Sequence, residues 1–284
     1  MEKGLIGVQM MMLKDQVREM GAYRVLEKLS GLGFHSVEIS QIPMTAETVS
    51  ELKRGASALG MEISACSGAL APAEPGAAGE YLTTDYEKIV GDCRALGCRT
   101  LRVGMLPVNC IGSREKTLDF AKRMDEMAKR LKGDGIALYY HNHHIEFTKY
   151  DGKYLLDIIR EETEEIGFEL DVYWIQYGGE SPLRVIPRFE NRIRLLHLKD
   201  YRIANLVQGP QEARQDFQKR FTANVEFAEL GEGNLPLKEI IDTALRHGST
   251  HFIIEQDNSY GRNPFDSLEI SARHLRALGY ADWF

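Results

Sequence analysis

The stretch IRLLHLKD, Ile193–Asp200, is apolar at positions 193, 195, 196 and 198 and turns polar toward its far end, at His197, Lys199 and Asp200. Apolar residues on both faces of so short a run suit a strand covered on both sides, as in a parallel sheet flanked by helices. Seven further runs share the form: LIGVQ from Leu5, SVEIS from Ser36, EISACS from Glu62, TLRVG from Thr100, IALYYH from Ile136, GFELD from Gly167 and FIIEQ from Phe252. Amphipathic stretches lie between them. Leu237, Ile240, Ile241, Ala244 and Leu245 recur at helical spacing, and Leu118, Ala121, Met124, Ala128 and Leu131 do the same before Gly133 and Gly135. No hairpin turn is read between the strands. Eight strands alternating with about eight helices predict an α/β fold, a single (β/α)8 barrel spanning residues 1–284 as one domain. An open doubly wound sheet is disfavoured, because no GxGxxG or GxxxxGK[ST] loop follows any strand. The connection from Tyr201 to Pro236 is too long for a simple βα turn and is expected to close over bound substrate.

Composition narrows the function. Lys plus Arg number 35 against 42 Asp plus Glu, a net charge of −7, which disfavours a nucleic-acid partner. No apolar run approaches the ~20 residues of a membrane span, and the first residues pass directly into a strand, so a cytoplasmic protein without a membrane partner is expected. Cys66, Cys93, Cys98 and Cys110 show no CxxC spacing and are read as reduced, buried thiols. The terminal aromatics Trp283 and Phe284 suggest a contact that could support a homo-oligomer.

In a parallel barrel the active site lies at the C-terminal strand ends. The polar residues there are Gln9, Glu38, Ser67, Arg102, His141, Asp171, His197 and Glu255. Asp171, His197 and Glu255, ending strands six to eight, form the carboxylate and imidazole mixture that binds a divalent ion. A fourth ligand is expected from the fifth strand, where the chain reads YHNHHIEF, Tyr140–Phe147. Alternation puts His141 and His143 on one side, while Glu146 can curl back over the rim.

In this order, YHNHHIEF, LDVYW, HLKD, ELGEG and IIEQD resemble the xylose isomerase-like TIM barrels of the sugar phosphate isomerase/epimerase group, over nearly the whole chain. The resemblance implies a divalent metal at the barrel mouth, Mn²⁺ first and Mg²⁺, Co²⁺ or Zn²⁺ as alternatives, and a sugar, keto-sugar or cyclitol substrate. It makes Asp171, His197 and Glu255 metal ligands. Ketose epimerases of the group usually carry a glutamate where this chain has His141, so Glu146 is the expected fourth ligand and His141 its rival. They also tend to carry a histidine where Trp174 stands, which argues against a simple two-glutamate epimerase.

His143 is the expected general base, since a neutral imidazole beside a metal-polarised carbonyl can take the neighbouring proton. Lys199 could bind a substrate oxygen or phosphate, or pair with Asp200. Gln9, Glu38, Trp174 and Glu232 are expected to contact substrate. The leading expectation is a metal-dependent sugar isomerase or epimerase, with a lyase on a keto-sugar or cyclitol as the alternative. A nuclease or a catalytically inactive sugar-binding barrel fits less well.

Overall fold

The computed structural model describes residues 3–72, 77, 79–207, 209 and 213–284. All eight expected runs form strands: β1 (Leu5–Gln9), β2 (Ser36–Ile39), β3 (Glu62–Gly68), β4 (Thr100–Val103), β5 (Ala137–His141), β6 (Gly167–Asp171), β7 (Ile193–Leu198) and β8 (His251–Ile254). Each pairs in parallel with its sequence neighbours, and β8 closes the barrel on β1 through Leu5↔His251 to Val8↔Ile254. Closure leaves no open sheet edge.

Alternation divides each strand between two environments. Outward residues such as Val8, Leu138, Phe168 and Leu196 are buried against the surrounding helices. Two of these are the expected helices, Arg114–Gly133, capped by Ser113 Oγ accepting from the Lys116 N–H, and Leu237–Arg246. Inward residues stack in layers. At the bottom, Ala65, Leu195 and Ile253 pack with Tyr139. Tyr139 fits only because its neighbour is Gly167, where an added Cβ would lie 2.3 Å from the ring. One pleat higher the inward positions become Glu38, Arg102, Glu169 and His197, all buried. Ladder registers shift at Val37/Glu38 and at Phe168/Glu169, so the two glutamates of this layer both sit at irregularities that re-aim a side chain.

One expectation is corrected, and two other segments are given their structural setting. A hairpin does occur: Lys149–Tyr150 pairs antiparallel with Lys153–Tyr154 across Asp151 and Gly152. Both turn residues have positive φ, 52° and 81°, the backbone that an Asp-Gly pair accepts. The long connection is no plain loop. Asp200–Ile203 pairs antiparallel with Val225–Ala228 and a helix spans Arg214–Thr222, while residues 208 and 210–212 lie outside the described residues. Trp283 and Phe284 belong to the barrel's own packing: Trp283 is buried on Phe252 and Tyr280, and Phe284 stacks 5.3 Å from Phe34. The four cysteines are buried and free, and among the described residues no helix is long and apolar enough to cross a membrane.

Candidate metal centre

Above the charged layer, the ends of β5 to β8 bring four buried donors together: His141, Asp171, His197 and Glu255. His197 Nδ1 lies 3.0 Å from His141 Nε2 and 2.9 Å from Glu255 Oε2, and His141 Nε2 is 3.6 Å from Asp171 Oδ2. Three of the donors are held from behind, while His141 Nδ1 has no hydrogen-bond partner. Asp171 Oδ1 accepts from the Trp174 N–H (2.9 Å), capping the helix Val172–Tyr177 and leaving Oδ2 with no hydrogen bond. Its own N–H donates to Asn142 Oδ1 (3.0 Å), and Gln9 Nε2 donates to Glu255 Oε1 (2.9 Å).

The charged layer serves His197. Its Nε2 lies 3.2 Å from both Glu38 Oε2 and Glu169 Oε1, while Arg102 Nε lies 2.6 Å from Glu38 and 3.3 Å from Glu169. Burial and the adjacent Glu38 charge push the Glu169 carboxyl up, whereas Arg102 and His197 overcome burial at Glu38 and hold it down. Burial opposes a charge on His197, yet Glu169, Glu38 and Glu255 drive its pKa well above the ordinary value. Burial, with His197 and Arg102 close by, pushes His141 well below it. The His197 ring is thus an imidazolium; an ion bound at Nδ1 would replace the proton there while Nε2–H stays on the glutamates, the orientation carboxylates impose on metal-binding histidines. Two imidazoles, two carboxylates and an orphaned Asp171 oxygen are a donor set that could hold a divalent ion.

Glu146 is not part of this cluster. After His143 the chain enters a tight turn at Ile145–Phe147, which carries Glu146 to the outward side of β5. There its buried carboxylate accepts from the Tyr140 hydroxyl and the His143 N–H. The fifth-strand donor in the cluster is His141.

A family profile matches residues 26–278, nearly the length of the barrel. The chain belongs to the xylose isomerase-like TIM barrel family. The inosose dehydratase of Geobacillus thermodenitrificans (strain NG80-2) is 30% identical over 167 residues, 56% of this chain and 52% of that protein. That of Lacticaseibacillus casei is 24% identical over 163 residues, 55% and 53% of the two chains. The chain thus spans about half the length of these curated relatives. Among solved structures, a sugar phosphate isomerase/epimerase from Parabacteroides distasonis ATCC 8503 superposes with a TM-score of 0.75 at 19% identity, over 98% of this chain and 99% of that one. An L-ribulose 3-epimerase gives 0.67 at 15%, over 100% and 96%. At such identities these two show the fold.

Within this family barrel an open cavity of about 560 Å³ lies over the donors. His143 lines it with Nδ1 unpartnered, its ring 4.9 Å from His141 and 5.3 Å from Trp174, and burial lowers its pKa to about 3, so the ring is neutral. Lys199 also lines it but is 2% exposed and paired with Glu255 (3.0 Å), Asp257 (2.9 Å) and Asp171 (3.6 Å). Asp200 instead accepts backbone N–H groups of Tyr201, Gly231, Asn234 and Leu235, pinning the ELGEG turn. Trp174 packs beside His143 and 5.1 Å from the Lys199 ammonium. Gln9 reaches the cavity, whereas Glu38 lies in the layer beneath it. Glu232 is directed elsewhere: 39% exposed, it pairs with Arg202 and Arg262. Sequence reasoning passed over Asn142, Glu169 and Asp257. Period-two spacing from Asp171 and Glu255 would have found the last two.

Proposed function

We propose that this protein is a divalent-metal-dependent enzyme that removes the proton next to a carbonyl of a keto-sugar or cyclitol and completes a β-elimination. The carrying observation is an unpartnered neutral imidazole nitrogen, His143 Nδ1, in the cavity lined by His141 and Glu255, two of the four donors clustered with Asp171 and His197. Those four residues would hold the ion, which when bound polarises the carbonyl and acidifies the adjacent C–H. His143 takes that proton at Nδ1, and the negative charge developing on the substrate stabilises the imidazolium. Returned by His143 to a hydroxyl leaving from the same face, the proton departs with it as water. Before an ion binds, Lys199 keeps Glu255 and Asp171 oriented.

One base on one face supports this reading. Among the described residues across the barrel, β1 to β3 present Gln9, Ser40, Gln41 and Ser67, none of which is a base, and the Asp257 carboxylate that also lines the cavity is taken up by Lys199. Similarity to inosose dehydratases points the same way. The same single base favours a second reading, isomerisation by returning the proton to the same face of the substrate; epimerisation would need a second base opposite. Incubation of metal-loaded protein with inososes and keto-sugars in heavy water, read by mass spectrometry, tests the proposal. Loss of water indicates elimination, and conserved mass with a new retention time indicates isomerisation. His143→Ala should slow either by roughly 10²–10⁴-fold with metal content unchanged. A variant of normal rate would refute the role of His143.

A further inference from the structure

Phosphate sites in barrels of this kind commonly lie in the loops after β7 and β8 and rely on free donors and positive charge. Here the cations of that corner are already paired. Arg202 and Arg262 both face Glu229 and Glu232. The helix beginning at Pro264 has its first turn capped by Asn263. Among the described residues lining the cavity, the cations are Arg102 and Lys199, and the residues outside the described set include no lysine or arginine. Arg102 is held between Glu38 and Glu169. An ammonium has three donors, and three carboxylates surround that of Lys199. Two of these, Asp171 and Glu255, belong to the metal donor set, so Asp257 is the partner left to hold Lys199 once an ion is bound. Five carboxylates against two cations mean that a divalent ion brings the mouth near neutrality rather than to a positive charge.

We propose that the mouth selects an uncharged polyhydroxy carbonyl compound over its phosphate ester, and that Asp257 sets this selectivity by occupying Lys199. The sugar part rests on the function proposed above; the exclusion of anions rests only on the metal donor set within it.

Calorimetric titration of the metal-loaded protein with inorganic phosphate tests the exclusion directly. Wild type should show no saturable binding in the millimolar range. Asp257→Asn should gain about tenfold or more in phosphate affinity by freeing a charged donor, and adding Lys199→Met should abolish the gain. Asp257→Ser serves as a second variant should the first fold poorly. Phosphate binding by wild type that Lys199→Met removes, or no gain in either Asp257 variant, overturns the proposal. In parallel, ketoses are compared with their phosphate esters, and the parent sugar should bind at least about tenfold more tightly. A tighter ester overturns the inference. If neither member of any pair binds, the proposed function fails while the phosphate titration still decides the role of Asp257.

Discussion

Replacing Glu146 with Gln and His141 with Ala should damage the protein in opposite ways. Glu146 accepts two hydrogen bonds, from the Tyr140 hydroxyl and the His143 N–H, in a fully buried position. Glutamine retains one acceptor oxygen and turns an amide donor toward the other donor, so about one charge-assisted bond is lost, ~1.5–3 kcal/mol. Burial already raises the Glu146 pKa, which places the loss near the lower end of that range. At roughly 2–4 °C per kcal/mol in a chain of this size, metal-free Tm should fall by about 3–6 °C. The increment from added metal should survive. At a metal concentration about 100-fold above Kd that increment is ~2.7 kcal/mol, or about 5–11 °C. His141→Ala removes a donor from the cluster, and a 100-fold weaker Kd would leave only ~0.4 kcal/mol, about 1–2 °C. Differential scanning calorimetry with and without Mn²⁺, beside elemental analysis, measures both quantities. A Glu146→Gln protein that loses the increment while His141→Ala keeps it would refute the four-donor reading.

Two further expectations concern the scaffold. Asp200→Ala removes the acceptor of four backbone N–H groups, so limited proteolysis should cut faster between 201 and 236 while the barrel keeps its circular dichroism spectrum; an unchanged rate would mean the carboxylate does not pin that connection. Burial alone would raise the Asp125 carboxyl, but the N–H groups of Glu164, Glu165 and Ile166 and the nearby Lys129 hold it below the usual range. Its stabilisation is therefore present above the unfolded value of about 4 and lost as pH falls through the lower folded value. Asp125→Asn should lower Tm at neutral pH and flatten its decline below about pH 4, and parallel profiles for the two proteins would contradict this.

Parallel strands buried on both faces must be continuous apolar runs, so all eight were legible from residue type alone, and with them the barrel. Alternation along those strands then made Asp171, His197 and Glu255 legible as inward neighbours, because period two holds wherever the ladder is regular. It failed where the backbone leaves the ladder. The turn after His143 carries Glu146 outward to Tyr140, and local sequence does not state which way a rim turn curls. Ladder irregularities at Glu38 and Glu169 set the layer that faces His197 Nε2, through partners more than twenty residues distant. The antiparallel excursion after β7, the pairing of Lys199 with Asp257, and the burial of Trp283 on Phe252 likewise depend on segments meeting in space. Residue type and spacing thus determined which groups can carry the chemistry; only barrel closure decided which of them meet, since register is a property of pairs of strands.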